Sequence, residues 1–205
     1  MTAPQETQML KFADDTTVIG LIRDGDESAY RWEIEQMALL CGQNNLELKS
    51  SKLFLGSIIS QDLKWESNID AIRKKAQQRM YFLCQLRKFN LPQELLIQFY
   101  TTIIQSVLST SITVWFGSAT KQDRNRLQRT VRTAEKIIGA SLPSIQDLYV
   151  SRVRKRAGNI TADLSRPGHN LFHLLPSSRH YRALYTKTSR NKNSFFPQAD
   201  ALLNI

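Results

Sequence analysis

Two adjacent carboxylates, Asp14 and Asp15, stand between short apolar segments and are the residues best suited to metal chemistry. Carboxylate oxygens are common ligands of divalent cations. Phosphoryl transfer with two metal ions roughly 3.5 to 4 Å apart needs carboxylates from more than one strand, because one tip cannot surround both ions. Glu6 is the sole acid before the pair. We therefore expect at most a weak metal site and no catalysis by this chain alone.

The flanking pattern predicts that a β-hairpin positions the two carboxylates. Apolar residues with a period of two predict strands over 9–12 and 16–22, with the aspartates in the turn. Apolar residues spaced by three and four then predict a helix from about Glu27 to Gln43. Lys52 follows in a second extended segment.

The run Lys11-Phe12-Ala13-Asp14-Asp15 resembles the aspartate-aspartate box of reverse transcriptases, in the form found in non-LTR (LINE-type) retrotransposons. The resemblance extends over nearly the whole chain after Gln8 and is particularly strong over residues 112–117. It implies an RNA-directed DNA polymerase in which Asp14 and Asp15 hold Mg²⁺ and Lys52 matches a lysine that assists the chemistry. The family's first catalytic aspartate and its fingers have no counterpart here. The resemblance thus implies an inactive C-terminal fragment or degenerate remnant that binds RNA and DNA of the template-primer type.

The rest of the chain predicts basic amphipathic helices. Apolar residues recur every three or four positions from Ile69 to Leu86, and Pro92 opens the next helix. Thr120 and Asp123 resemble a capping box before a helix that ends at Gly139, and a further helix begins near Ser144. We predict an α+β, mainly α, chain with a palm remnant over 1–60, a thumb-like helical bundle over 61–161 and an irregular basic tail over 162–205.

Charge is distributed unevenly along the chain. Of the 28 Lys and Arg and 18 Asp and Glu residues, residues 1–70 hold 6 basic and 12 acidic, whereas residues 71–205 hold 22 and 6. A basic surface of this kind gains affinity for polyanions by releasing counterions from phosphates. Since arginines spread over several helices favour phosphate contacts over base recognition, we predict binding without sequence preference. The predicted contact residues are Arg73, Lys74, Lys75, Arg79, Arg124, Arg126, Arg129, Arg132, Lys136, Arg152, Arg154 and Lys155.

Two alternatives to the polymerase remnant stay open. One is a non-catalytic basic helical protein that binds nucleic acid or another partner. The other is a similarity of the stretch 54–86 to the N-terminal domain class of AlkB-like tRNA-modifying dioxygenases. Iron in such an enzyme needs a His-x-Asp pair and a distant histidine. No histidine of this chain, at positions His169, His173 and His180, has aspartate two positions later, so alkyl-repair chemistry is not expected.

The remaining signals concern the tail and the compartment. Tyr181, Tyr185, Phe195 and Phe196 could stack on bases, but docking on the bundle is the favoured interpretation. No run approaches the roughly 18 apolar residues of a membrane span, and Cys41 and Cys84 are isolated. We expect a soluble intracellular protein of the nucleus or cytoplasm.

Overall fold

The fold, in a computed structural model, is α+β and mainly α, as predicted. The structure describes residues 7–12, 15–20, 32, 35–36, 38–39, 43, 51–54, 56–60, 64–177 and 180–204. The chain divides into two compact units, Met1–Ser50 and Ser51–Ile205. The domain boundaries predicted after residues 60 and 161 stay predictions.

The first unit contains the predicted hairpin. Strand β1, Thr7–Phe12, pairs antiparallel with β2, Asp15–Gly20, and Phe12 lies opposite Asp15 at the end of the ladder. Strand β1 begins two residues before the predicted range and β2 begins one residue before it, and residues 21–22 lie outside the described residues. Helical residues between 32 and 43 lie within the helix predicted from about 27 to 43.

The second unit begins with another hairpin. Strands β3, Ser51–Phe54, and β4, Ser57–Ser60, pair antiparallel around a turn in which Gly56 has a φ of 81°, which glycine adopts without a Cβ clash. The backbone N–H of Ile58 donates to Asn68 Oδ1 over 2.9 Å. This hydrogen bond ties β4 to the first long helix.

Helices make up most of the described remainder of the second unit, and Leu174 and Tyr181 form an isolated antiparallel β-bridge in its tail. In chain order they are α1 Glu66–Lys88, α2 Gln93–Phe99, a π-helical segment Tyr100–Gln105, α3 Ser106–Leu108, α4 Ile112–Trp115, a 3₁₀ turn Phe116–Ser118, α5 Lys121–Ile138, α6 Ile145–Thr161, a 3₁₀ turn His169–Leu171, α7 Ser189–Lys192 and α8 Phe195–Leu203. Helix α1 packs on α5, and α6 packs on α4 and α8.

The apolar stripe predicted for α1 forms part of the core. Its residues are buried through Leu83, and Leu86 is partly buried at the edge. The largest fully buried side chains of the unit are Trp115, Tyr100, Phe116, Ile69, Leu83, Leu96, Ile104, Leu108, Ile112, Leu127, Ile138 and Val131. Burial of this apolar surface is the main favourable term that holds the helices together.

Side-chain caps fix the starts of α5 and α6. Thr120 Oγ1 accepts from the Asp123 N–H over 3.1 Å and donates to the Asp123 carboxylate over 2.6 Å. Ser144 and Asp147 form a complete capping box, in which each side chain accepts from the other residue's backbone N–H. Gly139, with a φ of 78°, ends α5 in the left-handed conformation.

The tail after residue 162 contains more helix than predicted. Proline disrupts the interior of a helix, but Pro197 is the third residue of α8, where the first-turn N–H groups have no partner within the helix. Phe172 contacts Tyr181 and Phe196, with ring centroids 5.9 and 5.6 Å apart. The docking predicted for Tyr181, Phe195 and Phe196 is confirmed, whereas Tyr185 is exposed.

Within the described part of the chain, no single helix is long and apolar enough to cross a membrane. The pair Gln93–Leu108 and Ile112–Ser118, bent by 42°, meets the length and composition criteria only when taken together.

Candidate nucleic-acid interface

A cleft of about 290 Å³ lies between α1 and α5 and gathers several of the predicted contact residues. Its lining consists of Arg73, Gln77, Met80, Arg126, Arg129, Thr130 and Thr133. Helix α1 supplies its side chains at intervals of three and four residues, the spacing that puts them on one face. We call this cleft the α1/α5 groove.

Arg73 stands in the α1 wall of the groove, with its side chain 26% exposed. One terminal nitrogen donates to Asp70 Oδ1 over 3.4 Å. The Nε atom is buried and has no hydrogen-bond partner among the described residues. Because an unpaired buried donor is unfavourable, this nitrogen lowers the stability of the fold.

Arg126 bridges the two walls of the groove. Its Nη1 lies 3.6 Å from Asp70 Oδ1 on α1 and 3.6 Å from Asp123 Oδ1 on its own helix. Ion pairs at this exposure contribute little to stability, so their main effect is to hold the guanidinium in place. Arg129 has no ion pair among the described residues. Three arginines lie in the groove and two aspartates pair with them, so the net charge there is positive.

The basic surface continues outward along α5. Arg129, Arg132 and Lys136 are exposed and are spaced by three and four residues, which places them on one face of the helix. A second depression, of about 500 Å³, lies at the C-terminal end of this stripe beside Arg132, Lys136 and Gly139. A polyanion in the groove therefore has further cations along the same helix.

Three of the predicted contact residues also form contacts within the fold, and their contact with nucleic acid stays a prediction. Arg79 Nη1 donates to the Ile103 carbonyl over 2.6 Å, and Arg154 Nε donates to the Leu202 carbonyl over 3.4 Å. Arg124 donates to the Phe116 and Gly117 carbonyls over 3.2 and 2.9 Å and lies 4.9 Å from the centre of the Phe116 ring.

The other predicted contact residues are exposed and lie outside the groove. Lys74 and Lys75 are on α1, and Arg152 and Lys155 are on α6. Conversely, the sequence patterns do not single out Gln77, Thr130 and Thr133. Only their spacing could have identified them, because each lies three or four residues from a groove arginine.

The predicted metal site stays untested. Asp14 lies outside the described residues, and only the backbone positions of Asp15 and Lys52, in β2 and β3, are described. Among the described residues, no group of three or more His, Cys, Asp or Glu side chains is placed to hold a metal ion. His169 Nδ1 shares a 2.9 Å hydrogen bond with the Ile160 carbonyl, whereas His173 and His180 are exposed.

Comparison with known proteins corrects the resemblance drawn from the sequence. No curated protein and no solved structure matches the chain. The assignment to a reverse transcriptase of a LINE-type retrotransposon is wrong, because the family that matches is a different one and no such polymerase signal is found.

The family match supports the alternative drawn from the sequence, a similarity to the N-terminal domain class of AlkB-like dioxygenases. The matched residues form α1 and the segment after it. The match begins at Trp65, beyond the start of the stretch predicted from the sequence, and includes the α1 wall of the groove but not α5. Residues 65–106, about a fifth of the 205-residue chain, are similar to the family described as alkylated DNA repair protein alkB homolog 8, N-terminal.

Proposed function

We propose that the second unit binds nucleic acid through phosphate contacts in the α1/α5 groove and along α5, without catalysing a reaction on it. The observation that carries the proposal is the convergence of Arg73, Arg126 and Arg129 in one groove. Guanidinium groups donate to phosphate oxygens in a planar fork, which makes arginine the preferred residue for this contact.

The charge of the chain supports the same proposal. The region from residue 71 onward has 22 basic and 6 acidic side chains, so its field attracts polyanions. The matching family is named for an alkylated DNA repair protein, which acts on nucleic acid by its printed name. We propose that RNA and DNA are both ligands, and that the chain works where they occur, in the nucleus or cytoplasm.

The absence of catalysis is proposed from the histidines of this chain. His169, His173 and His180 are followed at the second position by leucine, leucine and arginine, where an iron-binding His-x-Asp pair has aspartate.

The test is a titration of the full chain with fluorescent oligonucleotides, read by anisotropy at about 50 and 200 mM salt. Single-stranded RNA, single-stranded DNA, duplex DNA and an RNA–DNA heteroduplex of equal length are compared, the last because a template-primer ligand was predicted. We expect the affinity to fall steeply with salt. In a plot of the logarithm of the affinity against that of the salt concentration, each phosphate contact makes the slope steeper by about 0.7 for single strands and about 0.9 for duplex DNA.

Matched variants locate the binding surface. Arg129→Gln with Lys136→Gln removes two charges from the α5 stripe, and we expect the slope for single strands to fall by about 1.4. Arg182→Gln with Lys187→Gln removes two exposed charges from the tail and should leave the slope unchanged. Equal losses in both variants would show that general surface charge, and not the groove, accounts for the binding.

A further inference from the structure

We infer that Tyr81 stacks on an unpaired base at the rim of the α1/α5 groove and that the preferred ligand is single-stranded nucleic acid. The inference rests on the proposed function and extends it to the class of ligand. Tyr81 is 62% exposed, although it lies next to buried Met80 in the longest helix.

The position of Tyr81 continues the groove wall. Arg73, Gln77 and Tyr81 follow one another at intervals of four residues, which makes them one ridge along the surface of α1. The first two line the cleft. A strand whose phosphates contact Arg73 and Arg126 would therefore bring its neighbouring bases to the Tyr81 ring.

The ring itself is available for stacking. Tyr81 contacts Phe82 edge to face, with centroids 5.7 Å apart and an angle of 77° between the ring planes. Since the edge of one ring meets one face of the other, at least one face of Tyr81 stays free of Phe82. This contact also restricts how the two side chains can move, which lowers the entropy lost when a base stacks.

Exposed lysines flank the ring along the helix. Lys74 and Lys88 lie seven residues before and after Tyr81, about two turns or 10 Å away in each direction on nearly the same face. An aromatic ring between cations is the arrangement by which proteins bind single strands, in which charges track the phosphates and rings stack on bases.

The geometry favours a single strand over a duplex. Bases in a duplex are stacked on one another and paired, so a side-chain ring reaches their faces only after they are unstacked. A duplex would contact the cations alone. The structure thus predicts that Tyr81 contributes to the binding of single strands and hardly at all to that of duplexes.

The experiment compares Tyr81→Leu, Tyr81→Trp and Phe82→Leu in the full chain. We expect Tyr81→Leu to weaken single-strand binding at least about five-fold, the lower end of the contribution of one stacked base. Tyr81→Trp should stay within about two-fold of wild type, because indole stacks as well as phenol. Phe82→Leu should weaken binding less than Tyr81→Leu, and duplex affinity should change by less than about two-fold in all three.

An abasic strand of the same length separates stacking from charge. Wild type should bind this strand about as weakly as Tyr81→Leu binds the normal one, and Tyr81→Leu should not distinguish the two strands. Circular dichroism checks that each variant is folded, and Tyr81→Phe provides a minimal change that should bind like wild type.

The outcomes distinguish this inference from the proposed function. If wild type binds no nucleic acid, both are wrong. If wild type binds with a steep salt dependence but Tyr81→Leu binds single strands equally well, the stacking role is refuted and the phosphate-binding groove stands. Equal loss of duplex and single-strand affinity in Tyr81→Leu would also refute stacking.

Discussion

Tyr100 places a hydroxyl group in the core of the second unit with no hydrogen-bond partner among the described residues. The side chain is fully buried at the start of the π-helical segment, and its Oη atom has neither a donor nor an acceptor beside it. Burial, and secondarily the negative charge of Glu135, raises the pKa of Tyr100 to about 12. We predict that Tyr100→Phe, which deletes only this hydroxyl, stabilises the protein.

The size of the effect follows from the cost of an unpaired polar group. A buried donor or acceptor without a partner costs about 1 to 3 kcal/mol, and removing one oxygen while keeping the ring leaves little empty space. We expect a gain of about 1 kcal/mol at pH 8. For a unit of this size, that gain raises the melting temperature by roughly 2 to 4 °C.

The stabilisation should grow in alkaline solution. Folding keeps Tyr100 protonated up to about pH 12, whereas the unfolded chain loses this proton near pH 10. The free energy of unfolding of wild type therefore keeps its full value below pH 10 and falls as the pH rises toward 12. Tyr100→Phe lacks the titration, so its advantage over wild type should increase across this window, by at most roughly 2 to 3 kcal/mol.

The assay is urea unfolding of wild type and Tyr100→Phe at pH 8 and at several values between pH 10 and 11.5, followed by circular dichroism. All other residues are the same in both proteins, so the difference between them isolates Tyr100. Tyr81→Phe, which removes an exposed hydroxyl, is the control and should match wild type at pH 8. A loss of 1 kcal/mol or more in Tyr100→Phe at pH 8 would refute the reasoning, because it would mean that the hydroxyl has a partner.

Three further predictions concern the same unit. Burial raises the pKa of Asp200 above its ordinary 3.8, and Asp200 accepts from the Leu184 N–H. Wild type therefore loses stability as the pH rises from 3.8 through the raised pKa, so Asp200→Asn, which does not titrate there, should gain on wild type in thermal melts over this rise. Gly117→Ala would push a methyl group into the Asn193 carbonyl and loosen the packing of the tail, so a protease should cleave the tail faster than in wild type. Leu127→Ala empties a fully buried position and should cost about 2 to 5 kcal/mol in urea unfolding.

The elements with local signals could be predicted from the sequence. The α1 stripe from Ile69 to Leu83 follows the helical period, so its buried face is determined by spacing alone. Ser144 and Asp147 begin α6 by a hydrogen-bond pattern contained within four residues. The π-helical segment 100–105 and helix α8 have no comparable local signal, because apolar residues there fit several backbone conformations.

The functional assignment of the arginines could not be predicted in the same way. Arg79 donates to a carbonyl 24 residues away, and Arg154 to one 48 residues away. Each looks in the sequence like any exposed cation on the polar face of a helix. Which guanidinium meets a carbonyl and which meets solvent depends on the packing of α1 and α6 against their neighbours, and this packing is not encoded in the spacing of charges.

Two aspartates that pair with arginines of the α1/α5 groove, Asp70 and Asp123, have opposing effects on the binding proposed for it. Asp70 and Asp123 hold Arg73 and Arg126 within 3.4 to 3.6 Å, so less side-chain entropy is lost when a phosphate arrives. The same carboxylates repel that phosphate. Since Asp123 is nearly buried and Asp70 is 44% exposed, the repulsion comes mainly from Asp70. A groove with three arginines and one exposed acid would therefore bind moderately and release its ligand readily, as suits contacts made to a backbone without regard to sequence.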